Sequence, residues 1–143
     1  MKALTLHPEW AHAIAHLGKR TENRTWRPPE AMIGQRIAIH AGASIGGGRG
    51  REAADIALNA ISRIAGTWLC AGDVRCRAIV ATAVIDGVDR EQLTPWDVAG
   101  QWHWRLSGVV TLSTPVPVAR GRLGLWRLDP DTVAAVMAAM ETP

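Results

Sequence analysis

"HPEWAHAIAHLGKRTENRTWR", residues 7–27, passes from an aliphatic helix pattern into a dense run of charge. Pro8 stands near its start and Gly18 where the apolar periodicity stops, the usual asymmetry of a helix. Trp10, Ile14 and Leu17 share one face of that helix, and His12 and His16 another. From Lys19 the character changes, with Arg20, Glu22, Arg24, Trp26 and Arg27 following closely. An extended segment cannot bury all of these, but alternate residues can face inward together. Lys19, Glu22 and Arg24 beside Trp26 then supply a cation, an acceptor, a planar donor fork and a stacking plate. Such a set suits a flat polar heterocycle better than a lipid or a metal. The alternative is a solvated charged loop.

The rest of the chain sets the frame for this cluster. At 143 residues it is expected to be one domain, residues 1–143, with a core large enough to stand without staples. Hydrophobic residues make up 48% and charged residues 20%, the range of an ordinary globular protein. No apolar run reaches the roughly 18 residues of a membrane span, and "MKALTLHPEW" has no apolar leader core. A cytoplasmic location is the expectation. The net charge of +3 permits a polyanionic partner without demanding one. Only Lys2 and Lys19 are lysines among the 16 basic residues, so Lys19 keeps its identity against an arginine background. A lysine can lose its proton when desolvated and acts as a compact point charge.

Strands are predicted over 2–6, 35–41, 75–88, 101–113 and 123–128, and helices over 7–18, 52–65 and 129–140, the last capped by Asp129 or Asp131. "TENRTW" (21–26) is too polar for a central strand, whereas 75–88 is apolar on both faces and reads as central. Strands outnumber helices and do not alternate with them. The expected class is α+β, a mixed β-barrel of five or six strands with peripheral helices.

Other candidate chemistry is weaker. The glycine run from Gly46 to Arg51 precedes a helix but lacks the Lys-Ser/Thr ending of a phosphate loop, and reads as a flexible surface loop. His12 and His16 stand at metal-ligand spacing with no further ligand or general base nearby, so solvated histidines are the reading. His40 closes a strand, where it can serve a site or satisfy a structural bond. Trp102 and Trp104 share a strand face, with His103 on the other, and read as packing. Cys70 and Cys76 are expected to be reduced thiols.

Taken in order, these segments resemble the ASCH domain of the PUA-like superfamily. The N-terminal match is carried by Pro8, Trp10, Gly18, Lys19, Glu22, Asn23, Arg24 and Trp26. "IAIHA" (37–41) is similar to the family's next strand, and "GQWHWRL" and "PVPVARGRLGLWRL" to its closing segments. The resemblance implies a PUA-like barrel with a cleft beside the first helix, lined by Lys19-x-x-Glu22-x-Arg24, that binds RNA or a modified nucleoside. Ligand contacts are expected from Trp10, Lys19, Glu22, Asn23, Arg24, Trp26 and His40.

One branch of the family hydrolyses acetylcytidine with a lysine at the position of Lys19, a threonine where Glu22 stands, and a later glutamate; other members have been proposed to cut RNA. An enzyme reading would therefore make Lys19 and Glu22 catalytic, with Asp97 or Glu91 as candidates for the later acid. Two departures touch the start of the helix: Glu9 is inserted between Pro8 and Trp10, and His7 replaces a common Gln. RNA or a modified nucleoside is the expected partner, with no membrane, no obligate metal and no cofactor. Binding module and amidohydrolase both stay open, as does a small-molecule or protein-interaction domain without a nucleic-acid role.

Overall fold

A computed structural model describes all of residues 1–143. Its elements run β1 (Lys2–Leu6), α1 (Pro8–His16), β2 (Thr21–Arg24), β3 (Arg36–Ala41), α2 (Arg51–Ala65), β4 (Ala78–Asp89), β5 (Trp102–Pro117), β6 (Leu125–Arg127) and α3 (Pro130–Glu141). The six strands form one curled, half-barrel sheet in the order β2-β5-β4-β3-β1-β6. The class is α+β, as expected. Every pairing is antiparallel except β1 with β3. That one parallel pair requires a crossover, which α1 and β2 supply.

The strand face bearing Leu4, Leu6, Ile37, Ile39, Trp104 and Leu106 packs on Ala11, Ile14 and Ala15 of α1. The opposite face, with Ala3, Ala38 and Ile79, packs on Val136 of α3. On the outer side of α1, Ala13 meets Leu58 and Ile61 of α2. The layers are therefore α2, α1, sheet and α3, and α1 is covered on two sides. Its periodicity explains this, because Ala11, Ala13, Ile14 and Ala15 are buried around most of its circumference and only His16 of the helix is fully exposed.

Local signals account for most boundaries. Asp129 caps α3, its carboxylate accepting from Thr132 N at 2.8 Å and from the Thr132 hydroxyl. α1 ends where Gly18 adopts φ +74°, and the Lys19 amide turns back to the Ala13 carbonyl at 3.1 Å. That left-handed turn is what brings Lys19 back toward the helix it follows.

Three segments differ from the sequence expectation. Residues 75–77 are not strand: Arg77 takes φ +57°, and β4 begins at Ala78. β5 continues past 113 through "TPVP", where β2 no longer lies alongside and a proline forfeits no ladder bond on that open edge. The glycine loop is a 3-10 turn over Ile45–Gly48, tied down by a 2.9 Å bond from the Gly46 amide to the Glu9 carboxylate. Glu9 is thus the anchor of that loop. No helix is long and apolar enough to cross a membrane.

Candidate functional site

β2 is an edge strand of four residues, and its alternation decides what faces where. Glu22 and Arg24 project to one side, Thr21 and Asn23 to the other. On the first side Lys19, a residue 1% exposed, donates from its ammonium to Glu22 Oε1 at 3.2 Å. Arg24 Nε donates to the second oxygen, Oε2, at 3.1 Å, and Arg24 Nη2 donates to the Thr5 carbonyl at 3.0 Å. A continuous polar line therefore runs from Lys19 through Glu22 and Arg24 to the end of β1. It also spans the curl of the sheet, because β2 is the first strand in the order and β1 the fifth.

Aromatic rings frame the line. Trp10 on α1 places its ring centre 5.3 Å from Lys19 Nζ, a cation–π contact. Trp104, opposite Glu22 in the β2–β5 ladder, is fully buried and meets Trp26 edge to face at 4.8 Å. Trp104 Nε1 donates to the Trp26 carbonyl at 3.0 Å. Trp26 is thus fixed by the core at one edge while remaining half-exposed. Arg20 lies outside the line; its guanidinium donates to the Ile14 and Lys19 carbonyls and satisfies the C-terminal end of α1.

The other side of β2 holds a separate network. Asn23 donates to the Trp96 carbonyl at 2.9 Å, and its oxygen accepts from the Val98 amide at 3.0 Å. The same oxygen takes His103 Nδ1–H at 2.8 Å. Asp97 accepts from Leu93 N and Thr94 N at 2.8 and 3.0 Å, from the Thr94 hydroxyl at 2.8 Å, and from Arg105. Burial works against ionising Asp97, but the donors from Thr94, Leu93, Thr21 and Arg105 outweigh it and hold the carboxyl well below the usual range. Arg105 also grips Asp89 with two bonds of 2.8 and 2.9 Å. These contacts strap the loop over residues 90–101 to β2 and β5.

The structure therefore brings Trp10, Lys19, Glu22, Arg24 and Trp26 together, and does not bring Asn23 or His40 to them. Asn23 is one residue out of phase with Glu22 and turns toward the loop. His40 projects on the α3 side of the sheet, where Nε2–H donates to the Val118 carbonyl at 2.8 Å and Nδ1 meets the Thr5 hydroxyl at 3.1 Å. Burial holds its imidazole below the ordinary histidine pKa, against the raising effect of the Val118 bond. Asp97 is likewise committed to the loop, and Glu91 is exposed with its carbonyl accepting from Arg105. His12 and His16 lie with ring centres 4.6 Å apart at the outer side of α1. Cys70 and Cys76 are free thiols.

Two features of the site carry no strong sequence signal. One is the Thr5 backbone carbonyl that receives Arg24. The other is a cavity of about 260 Å³ beside it, lined by residues 5–8 of the β1–α1 turn, residues 42–44 and Gly47. It opens at the C-terminal ends of the parallel pair β1 and β3, the place where α/β sheets commonly take ligands. The parallel pairing, which only the folded chain reveals, is the signal that would have located it. A larger, open hollow of about 710 Å³ lies at the end of α2 around Arg63 and Trp68, remote from this chemistry.

Comparison with known proteins points the same way at the level of fold. The crystal structure of ASCH from Zymomonas mobilis is similar with a TM-score of 0.56, at 14% identity, over 96% of this chain and 93% of that one. The fold is that of the ASCH domain. A point variant of the same Zymomonas mobilis ASCH protein gives a TM-score of 0.56 at 13% identity, over 96% and 94% of the two chains. No protein-family model matches the sequence, and no curated protein matches it. At this identity the likeness reaches the ASCH architecture and not its chemistry.

Proposed function

We propose that the chain is an ASCH-domain protein that holds a base or modified nucleoside of RNA in the cleft between α1, β2 and the β1–α1 turn. The observation that carries this reading is the buried Lys19–Glu22 pair joined to Arg24, whose last bond reaches Thr5, a residue in the wall of the 260 Å³ cavity. Burying a carboxylate and an ammonium costs several kcal/mol per ion before their attraction repays it. Such a pair is a poor way to gain stability and a good way to present fixed charge to a ligand. Arg24 and Glu22 offer donor and acceptor edges, Lys19 sets the local charge, and the exposed part of Trp26 provides a stacking surface. Stacking on an aromatic contributes roughly 1–3 kcal/mol per base. Asn23 and His40 act on this site by holding β2 and β1. A cytoplasmic location goes with the same reading.

A second reading, hydrolysis of an acylated exocyclic amine, is favoured by one contact: Lys19 already donates to Glu22. In that arrangement the lysine lone pair is not on offer as a base. Glu22 would take the proton of an attacking water, and the Lys19 ammonium would protonate the departing amine. Both Glu22 oxygens are engaged, so a ligand has to displace the Arg24 contact first.

The deciding experiment is incubation of the pure protein with unmodified and acylated nucleosides, read by calorimetry and by chromatography, alongside Lys19→Ala and Glu22→Gln. Binding without turnover that both variants abolish supports the binding module. Deacylation lost in both supports the hydrolase. Neither binding nor turnover by the wild-type protein rejects the nucleoside reading.

A further inference from the structure

Arg27 and Arg90 hold their guanidinium carbons 5.0 and 4.9 Å from the centre of the Trp102 ring. Both arginines are exposed and Trp102 is half-buried. Neither cation has a carboxylate partner: the ion pairs of the molecule join Lys19 and Arg24 to Glu22, and Arg105 to Asp89 and Asp97. Arg90 donates to the Gly100 carbonyl at 2.6 Å, and Glu91 beside it leaves its carboxylate in solvent.

Two cations over one ring lie no more than about 10 Å apart and repel each other. The ring offsets part of that repulsion without consuming N–H donors, so every donor except the Arg90 Nη2 bond to Gly100 is open to an anion. Position adds the rest. Trp102 stands directly opposite Arg24 in the β2–β5 ladder, on the strand face shared with Trp104. The stack continues the polar line of β2 outward from the cleft.

We propose that Arg27, Trp102 and Arg90 form a track for the phosphodiester backbone of a single nucleic-acid strand, so that the cleft receives its base within a polymer. The proposal rests on the nucleoside reading of the cleft. Guanidiniums contact phosphate oxygens and position the strand without reading sequence, which leaves recognition to the cleft.

The test is anisotropy of a short labelled single-stranded RNA, and of DNA of the same sequence, across a salt series. For single strands the log–log salt slope changes by about 0.7 per phosphate contacted, so losing two contacts reduces it by about 1.4. The double variant Arg27→Gln/Arg90→Gln is expected to weaken oligonucleotide binding at least tenfold and to show that shallower slope on RNA and DNA alike. Arg27→Lys/Arg90→Lys, which keeps both charges, should retain the slope. An unchanged slope in the glutamine pair overturns the track. Nucleoside titration, with Glu22→Gln as control, is run in parallel. Loss of slope in the glutamine pair without any nucleoside binding keeps the track and removes the cleft reading. Nucleoside binding lost only in Glu22→Gln, with the slope of the glutamine pair unchanged, keeps the cleft and removes the track.

Discussion

The Lys19 ammonium and the Glu22 carboxylate meet at 3.2 Å with 1% and 7% of their residues exposed, at the edge of the sheet beside the rings of Trp10 and Trp104. They are three positions apart in sequence, but a left-handed turn at Gly18 and the first step of β2 create the contact. Removing one partner leaves an unpaired buried charge. Glu22→Gln is therefore expected to cost about 3 kcal/mol of unfolding free energy, measured by urea denaturation. Adding Lys19→Met to it should recover most of that loss. An unchanged midpoint in the single variant would mean that water reaches the pair in solution.

The Asp97 carboxylate gives the protein an acid-sensitive strap. Its folded pKa is depressed, so the folded state holds the proton less tightly than the unfolded chain does. The stabilisation is complete above the unfolded carboxylate value of about 3.9 and declines as pH falls below it. Asp97→Asn should lower the melting temperature at pH 7, and the gap to wild type should narrow as the melts are taken toward pH 3. A constant gap across that range would show that the loss is steric and not ionic.

Gly121 closes against Thr5 so tightly that a Cβ there would lie 2.1 Å from Thr5 Oγ1 and 2.8 Å from Thr5 Cβ. Rotating the threonine cannot relieve the second contact. The same hydroxyl receives Trp126 Nε1 at 3.0 Å and meets His40, so it links β1, β3 and β6. Gly121→Ala is expected to destabilise by about 2 kcal/mol, the cost of overpacking, in a denaturation series. Thr5→Ala should partly rescue it, and strict additivity of the two would exclude the contact as the cause.

Much of this was legible in the sequence, for reasons that differ by element. Asp129 capped its helix as its side chain required, Gly18 ended α1, and the run of β4, apolar on both faces but for Thr82 from Ala78 to Ile85, placed it inside the sheet. The same alternation rule put Glu22 and Arg24 on one face. Applied one residue further, it also separates Asn23 from them, yet side-chain chemistry alone groups all three. What sequence did not carry was long-range. Arg105 binds Asp89 and Asp97 from positions 16 and 8 residues away, and no local pattern marks which arginine does so. The meeting of Arg24 with Thr5 depends on the sheet curling until its first and fifth strands approach. His40 could serve a site or a scaffold by its place at a strand end, and only the neighbours on the α3 side showed which bonds it makes.

Arg24 is the residue in which closure of the sheet and presentation of the cleft coincide. Its Nε and Nη2 reach Glu22 and the Thr5 carbonyl together, with bonds of 3.1 and 3.0 Å. A planar guanidinium presents donors in two directions at once, whereas a lysine ammonium on a flexible stem is a single point charge. Arg24→Lys keeps the charge and is expected to keep the Glu22 contact while releasing Thr5. Because the Arg24 side chain is 23% exposed, the stability loss should stay within about 1 kcal/mol. Ligand affinity should fall far more, by tenfold or greater, if the cavity wall at Thr5 has to be held for the ligand to seat. Calorimetric titration of nucleosides into both proteins, beside their denaturation curves, separates the two effects. Equal affinity in Arg24→Lys would show that the cleft works through charge at Glu22 and Lys19 and not through the closure of β2 onto β1.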